Sequence, residues 1–487
     1  MQATSISVQR LGTVLRPDQS RVLLRPFNPG DSERITGIIG RILALEEAAV
    51  GPLLDQIAAE FSTRHERIHN RFLKRFEEVR PMLPAGARPS SQRRLLIGSY
   101  FLAEYSLESA ALFNPSIVPD PDQTRLPRGA LRFVLSLRAT GEGHVSSITF
   151  RGGVIHADNS IEVKPAIGYL VEPRQIPNPR YEKPLFARTL QELGLDSAFA
   201  GAVLERLRNP FSLGELRASL DMEAEPKGEA ANGIWMLARS NHEVQFQPRQ
   251  PLSERILFPS TSSQRNGIED ARYVHFRNDN GSYMYYATFT AFDGRVVMPE
   301  LVETSDFLRF RFLTLNGPAA RNKGMALFPR KINGRFAMIS RQDNESIFLM
   351  YSDNVHFWNE SIILLKPVFP WELIQLGNCG SPIETDSGWL VLSHGVGPMR
   401  KYCIGAFLLD RDDPSKVLGR LREPLLMPNS SEREGYVPNV VYTCGALLHH
   451  GRLVLPYAMS DTKATIVSLE LDLVLSAFNR AASAVSC

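Results

Sequence analysis

Acidic and guanidinium side chains recur beside a repeated strand phrase in this sequence, a combination suited to acid chemistry on a bound anion. The residues are Asn114 and Ser116 in FNPS, Arg138 and Glu142 in SLRATGEGH, and Glu269, Asp270 and Arg272 in GIEDAR. Further along stand Arg321 and Asn322 in AARNKGMALFP, Arg341 in ISRQD, His394 in SHG and Asp461 in AMSDT. Singly each is a weak signal, because an arginine or aspartate next to a strand is usually solvated or capping. As a set they offer a carboxylic acid to protonate a leaving oxygen, and guanidinium forks that match the oxygens of a phosphate and keep their charge. The same residues could also be plain structural ion pairs. Hydrolysis with water alone instead needs two opposed carboxyl groups, so the arginines discriminate.

One motif points elsewhere. His65-Glu66-Arg67-Ile68-His69 matches HExxH, which on a helix places two imidazoles for zinc with a glutamate as base. A five-residue pattern arises often by chance, the flanks are strongly charged, and no further histidine follows until His144. An amphipathic helix is the expected reading. Cys379, Cys403, Cys444 and Cys487 show no CxxC spacing, so free thiols are expected rather than disulfides or zinc. Gly-rich nucleotide loops and metal-ligand clusters are absent, so no cofactor is implied.

Residues distant in sequence need a fold that gathers them. The phrases LRFVLSLRATG at Leu131, GSYMYYATF at Gly281, GRFAMISR at Gly334, GWLVLSHG at Gly388 and GRLVLPYAMSD at Gly451 repeat one strand pattern. Tyr283, Phe336, Trp389 and Leu453 are separated by 53, 53 and 64 positions, near the length of a four-stranded propeller blade. The fold class expected is mainly β, a five-bladed β-propeller with an N-terminal α-helical extension. Inner strands around one axis would bring the polar groups into a single pocket.

Before the strands, residues 32 to 79 read as two helices. Ile35, Ile38, Ile39, Ile42 and Leu45 form one stripe, and Leu54, Ile57, Phe61, His65, Ile68, Phe72 and Phe76 the next. Gly51-Pro52 reads as the stop between them. PMLPAGARPSSQR, Pro81 to Arg93, reads as a boundary, giving a helical extension over 1–93 and a catalytic propeller over 94–487. The extension is expected to oligomerise the chain, cover the site mouth, or both. Residues 172–263 fit the repeat poorly and read as an insertion with a helical stretch near Leu190 to Arg217.

The balance of 55 basic against 52 acidic residues gives a net charge of +3, so no global field draws the protein to nucleic acid or an anionic membrane. Apolar runs such as Ile362 to Leu365 fall far short of the ~20 residues needed to span a bilayer. MQATSISVQRLG lacks the charged and apolar regions of an export signal, so a cytoplasmic location is expected.

The phrases FNPSIV, GIEDARYVHF, ALFPRKINGRF, YSDNVHFW, GWLVLSHGV, IGAFLLDRDDPSKVLGR and YVPNVVYTCGALLHHGRLVLPYAMSDT run in order from Phe113 to about Leu471. In this they resemble glycoside hydrolase family 130, whose members are mostly mannoside phosphorylases with some β-1,2-mannosidases. The helical N-terminal part is similar to the longer members acting on β-1,2-oligomannosides. The resemblance implies inverting cleavage of a β-mannoside by inorganic phosphate as co-substrate, giving α-mannose 1-phosphate, with an oligosaccharide as the other partner. It implies Asp270 as general acid, acting through a hydroxyl of the bound mannose. Arg321, Asn322, Arg341, His394 and Tyr402 correspond to the phosphate site, and Asn114, Ser116, Arg138, Glu269 and Asp461 to the sugar site. Two departures stand out: Gln375 where many members carry lysine, which removes a cation, and Ala271 where proline is usual in EDPR. The alternatives are hydrolysis of the same linkage, with Glu269 or Glu142 as second carboxylate, another inverting mannosyl transfer, and a non-catalytic sugar-binding propeller.

Overall fold

The five repeated phrases build strands, as their β-branched, aromatic and other apolar residues between turn signals suggest. In the computed structural model, which describes residues 8–166, 169–176, 180–192, 195–222, 229–292 and 297–483, they are Leu131–Thr140, Tyr283–Phe292, Phe336–Arg341, Gly388–Gly397 and Arg452–Met459. Each lies second in its own antiparallel sheet, beside a first strand: Ala111–Pro119, Ile268–Arg277, Lys323–Leu327, Gln375–Asn378 and Val441–Tyr442 respectively. The structure is thus mainly β, with five sheets of four to six strands among the described residues. The fifth sheet takes its outer strand, Gln9–Leu15, from the opposite end of the sequence, paired antiparallel to Lys463–Glu470.

First strands of successive sheets touch. Ala111–Pro119 packs on Ile268–Arg277, that strand on Lys323–Leu327, and that in turn on Gln375–Asn378. Arg452–Met459 of the fifth sheet packs back on Ala111–Pro119. Between the first and second sheets lies an aromatic core in which the Phe150 ring meets Phe307 edge-on at 5.8 Å and stacks on Phe310 at 6.0 Å. Such a core holds the strands, and therefore the polar residues at their ends, in fixed positions.

The insertion is helical, with Lys183–Glu192, Ala198–Glu205, Leu213–Asp221 and Glu229–Ser240 packed on a core of their own that includes Phe186, Val203, Phe211, Leu216 and Ile234. The expected stretch from Leu190 to Arg217 is divided, because Pro210 cannot continue a helix and Ser212 starts the next with a reciprocal cap from Glu215.

Asp18–Ser109 belong to a second compact unit, which holds a two-stranded sheet of its own, Val22–Pro26 with Leu102–Ser106. Its helices run Ser32–Leu43, Glu47–Phe61, Ile68–Val79 and Ser91–Tyr100, burying Ile39, Ile42, Leu54, Phe72, Phe76 and Ile97. The stop expected at Gly51-Pro52 falls earlier, between Leu43 and Glu47, and Pro52 lies inside the second helix. Val50 and Leu54 are buried on either side of it, and that burial outweighs the one backbone bond proline removes. The long stripe also breaks, with Arg67 left-handed at φ 52°. That break takes His65 off any helix, where its Nε2 meets the Glu104 carboxylate at 2.7 Å. HExxH therefore presents no pair of imidazoles on one helical face, and among the described residues no group of three or more His, Cys, Asp or Glu could hold a metal. Cys379, Cys403 and Cys444 are free and buried, while Cys487 lies outside the described residues. Among those residues no helix is long and apolar enough to cross a membrane.

Gly98 sets how closely two helices of this unit approach, because a Cβ there would stand 1.9 Å from the Phe72 carbonyl oxygen. Gly98→Ala should therefore destabilise the unit by about 1–3 kcal/mol or more through overpacking, read as a lowered thermal midpoint. An unchanged midpoint would show that the helices can separate at no cost.

Candidate functional site

Four polar residues hold left-handed backbone at the start of a first strand: Asn114 at φ 47°, Asp270 at 54°, Asn322 at 69° and Asn439 at 64°. Asn and Asp tolerate this region better than other residues with a side chain. At Asn114 and Asp270 the register slips, between Phe113 and Ser116 and between Glu269 and Arg272. Such bulges re-aim side chains, and backbone strain of this kind clusters at functional sites.

The two bulges bring an acidic group together across two sheets. Asp270 Oδ1 accepts from Asn114 Nδ2 at 2.7 Å and from an Arg138 terminal nitrogen at 3.3 Å. The other Arg138 terminal nitrogen donates to Glu269 at 2.9 Å, and Lys323 Nζ donates to the second Glu269 oxygen at 3.1 Å. Burial opposes ionisation of Asp270, but Arg138, Arg272 and the Asn114 amide outweigh it and hold the carboxyl below its ordinary range. Asp270 is therefore a carboxylate in the free protein.

Asp461, left-handed at φ 50°, behaves oppositely: burial and then the Asp270 charge push its carboxyl up to about 6. Near neutral pH it is the carboxyl that more readily keeps a proton. The unfolded chain then releases that proton at lower pH than the folded one, so the contribution of Asp461 to stability falls as pH rises from about 3.9 to about 6. Asp461→Asn should remove this loss. Its thermal midpoint should exceed wild type at pH 7 and match it near pH 3.5, and an equal gain at both pH values would exclude the titration.

The cationic side is deeper. Arg272 is 4% exposed and donates to the Tyr442 hydroxyl at 2.7 Å, while Arg341, 9% exposed, approaches His394 Nε2 at 3.0 Å. The Nε of both arginines is buried without a hydrogen-bond partner among the described residues. Burial and the Arg272 charge depress the Arg341 guanidinium, and burial with both arginines keeps His394 well below its ordinary value. Tyr402 stacks on His394 with centroids 5.9 Å apart, and Tyr442 meets it edge-on at 5.1 Å. Two guanidinium groups with orphaned donors, beside a neutral imidazole, make a place for an anion.

The structure thus brings Asn114, Arg138, Glu269 and Asp270 into direct contact, with Arg341, His394 and Tyr402 forming a second cluster. Ser116 is fully buried and its hydroxyl accepts from the Tyr273 backbone N–H at 3.0 Å, tying the first two sheets together. Asn322 donates to the Gln342 carbonyl at 3.2 Å. Arg321 and Glu142 are exposed, and no described hydrogen bond or ion pair ties Arg321 to either cluster. Sequence reasoning passed over Lys323 and Tyr442 and gave Arg272 no role. Adjacency to Asn322 was the available signal for Lys323; Tyr442 carried none. A separate cleft of about 510 Å³, between the helix Lys183–Glu192 and outer strands of the second sheet, shares no residue with these clusters.

The family model for glycoside hydrolase family 130, described as beta-1,4-mannooligosaccharide phosphorylase, matches residues 230–480. The chain is 33% identical over 228 residues to the 1,2-beta-oligomannan phosphorylase of Thermoanaerobacter sp. (strain X514), spanning 45% of this chain and 74% of that protein. It is 32% identical over 228 residues to the beta-1,2-mannobiose phosphorylase of Listeria innocua, spanning 45% and 62% respectively. The solved Listeria innocua enzyme in complex with beta-1,2-mannobiose aligns at 22% identity with a TM-score of 0.47, over 76% of this chain and 92% of that one. The matched segment holds Asp270, both buried arginines, His394, Tyr402 and Asp461, and on that match the chain belongs to glycoside hydrolase family 130.

Proposed function

We propose that this protein is an inverting glycoside phosphorylase that cleaves β-mannosides, β-1,2-oligomannosides in the first instance, with inorganic phosphate. The observation that carries the proposal is the pair of buried guanidinium groups, Arg272 and Arg341, whose Nε donors lack partners among the described residues, beside the Asp270 carboxylate. In this reading a phosphate oxygen attacks the anomeric carbon as the bond from that carbon to the glycosidic oxygen breaks. Asp270 supplies the proton to the leaving oxygen through a hydroxyl of the bound mannose. The products are α-mannose 1-phosphate and an oligosaccharide one residue shorter. Because Asp270 is ionised in the free protein, phosphate has a second effect: its charge offsets the nearby arginines and favours the protonated acid.

Arg341 and Arg272 take the phosphate, with Asn322, Arg321, His394 and Tyr402 assigned to the same site by the family resemblance; Asn114, Arg138, Glu269 and Asp461 are assigned to the sugar, while Ser116, fully buried, ties the first two sheets together. Glu269 is bridged by Arg138 and Lys323, which disfavours it as the base of a hydrolase. The order in which the five sheets touch supports a five-bladed propeller, with Gln9–Leu15 completing the last blade. Of the extension, the helical part from Asp18 to Arg93 is proposed to oligomerise the chain or cover the site, in a cytoplasmic enzyme that uses no cofactor. Solution mass of the full chain tests the oligomer.

The deciding experiment follows products from β-1,2-mannobiose and longer oligomers with and without phosphate. Phosphate-dependent release of α-mannose 1-phosphate supports the proposal. Phosphate-independent release of mannose would make the protein a hydrolase, and sugar binding that survives without turnover would make it a sugar-binding protein.

A further inference from the structure

We propose that His394 is a positioning residue: neutral, with its proton on Nδ1, it fixes the Arg341 guanidinium through Nε2, and Gln375 locks this state by donating to the same nitrogen. The proposal rests on the phosphorylase reading for its consequence, though not for its geometry.

The argument is one of donors and acceptors. Arginine has only N–H donors, so the Arg341 nitrogen 3.0 Å from His394 Nε2 requires a lone pair there. Nε2 then carries no proton. That in turn fixes the Gln375 amide, whose Nε2 lies 3.2 Å from the same atom and must be the donor. The ring proton is left on Nδ1; the Asn378 backbone also hydrogen-bonds the imidazole. Cys379 Sγ, 4.0 Å from Nδ1, is a distant second neighbour. Three features hold the arrangement. Tyr402 stacks on the imidazole, the His394 side chain is 2% exposed, and at Gly377 a Cβ would stand 2.4 Å from His394 Cε1 and 3.2 Å from Arg341 Cδ. No side chain other than hydrogen fits at 377 with both groups in place.

The consequence concerns Arg341. One terminal nitrogen is committed to His394, which sets the plane of the fork and leaves the buried, unpartnered Nε free for an anion. A protonated His394 would have no lone pair for Arg341 and would add a third cation beside Arg272 and Arg341. A neutral donor at 375 avoids this, whereas a carboxylate there would call a proton onto Nε2 and break the Arg341 contact.

Two measurements on the full chain test this. In long-range ¹H–¹⁵N spectra of histidine-labelled protein, with His394 identified by its loss in His394→Asn, the ring should be the neutral Nδ1–H tautomer throughout about pH 8 to 5.5, the range in which ordinary histidines titrate. A proton on Nε2, or an imidazolium in that range, would overturn the proposal. In kinetics, Gln375→Glu should raise KM for phosphate by about tenfold or more, equivalent to ~1.4 kcal/mol or more, with KM for β-1,2-mannobiose changed less than about threefold. An unchanged phosphate KM, or an equal rise in both, would overturn the positioning role. If turnover proves independent of phosphate, the function proposed above fails, and the spectra still decide the tautomer.

Discussion

Asp270→Asn should lower kcat for phosphorolysis by about 10²–10⁴-fold, the range a general acid contributes, while leaving oligosaccharide binding within a few-fold of wild type. Shape is kept, because an amide oxygen can still accept from Asn114 Nδ2, now 2.7 Å away, and Arg138 retains Glu269 at 2.9 Å. What is lost is the group that can take up and give a proton. The substitution also removes a depressed carboxylate, and such a group adds stability above its unfolded value near 3.9 that disappears as pH falls through the folded value. The variant should therefore be less stable than wild type at pH 7 and converge with it in strong acid. Mannose 1-phosphate release and calorimetric binding measured together check both halves. Near-normal turnover would move the acid elsewhere, and Asp461, whose carboxyl holds its proton to about 6, would be the first alternative.

Arg341→Ala should raise KM for phosphate by about 10- to 100-fold, equivalent to the ~1.5–3 kcal/mol of a hydrogen bond to a charged group. KM for β-1,2-mannobiose should change less than about threefold. The contrast with Arg321→Ala is the informative one. Arg321 is exposed and has no described tie to the cluster, so its loss should cost less than that of Arg341, which is 9% exposed and fixed by His394. Initial rates over a phosphate series at fixed mannobiose separate the two. Equal losses of phosphate and sugar affinity in Arg341→Ala would remove it from the anion site.

Local chemistry carried the sequence a long way. Recurrence of one apolar strand phrase located the second strand of all five sheets, from Leu131–Thr140 to Arg452–Met459, because strands buried on both faces read as short, nearly continuous apolar runs between turns. Asn and Asp at the bulges were visible as polar residues beside those phrases, and Asp270 and Arg341 were named from type and setting. Helix limits were less legible at Pro52, where neighbouring burial overrode a local breaker. Equal weight for Arg321 and Arg341 was also unavoidable in one dimension, since both read as arginines near a strand and only packing buries one and exposes the other. Arg272 with Tyr442, and Lys323 with Glu269, are 170 and 54 residues apart in sequence. The sequence by itself determined which residue types and which strands this protein has. Tertiary structure alone decided which carboxyl is ionised, which imidazole nitrogen is bare and which guanidinium donors lack partners. Those properties depend on burial and on charges within a few ångströms, and such neighbours come from sheets that the chain reaches at widely separated points.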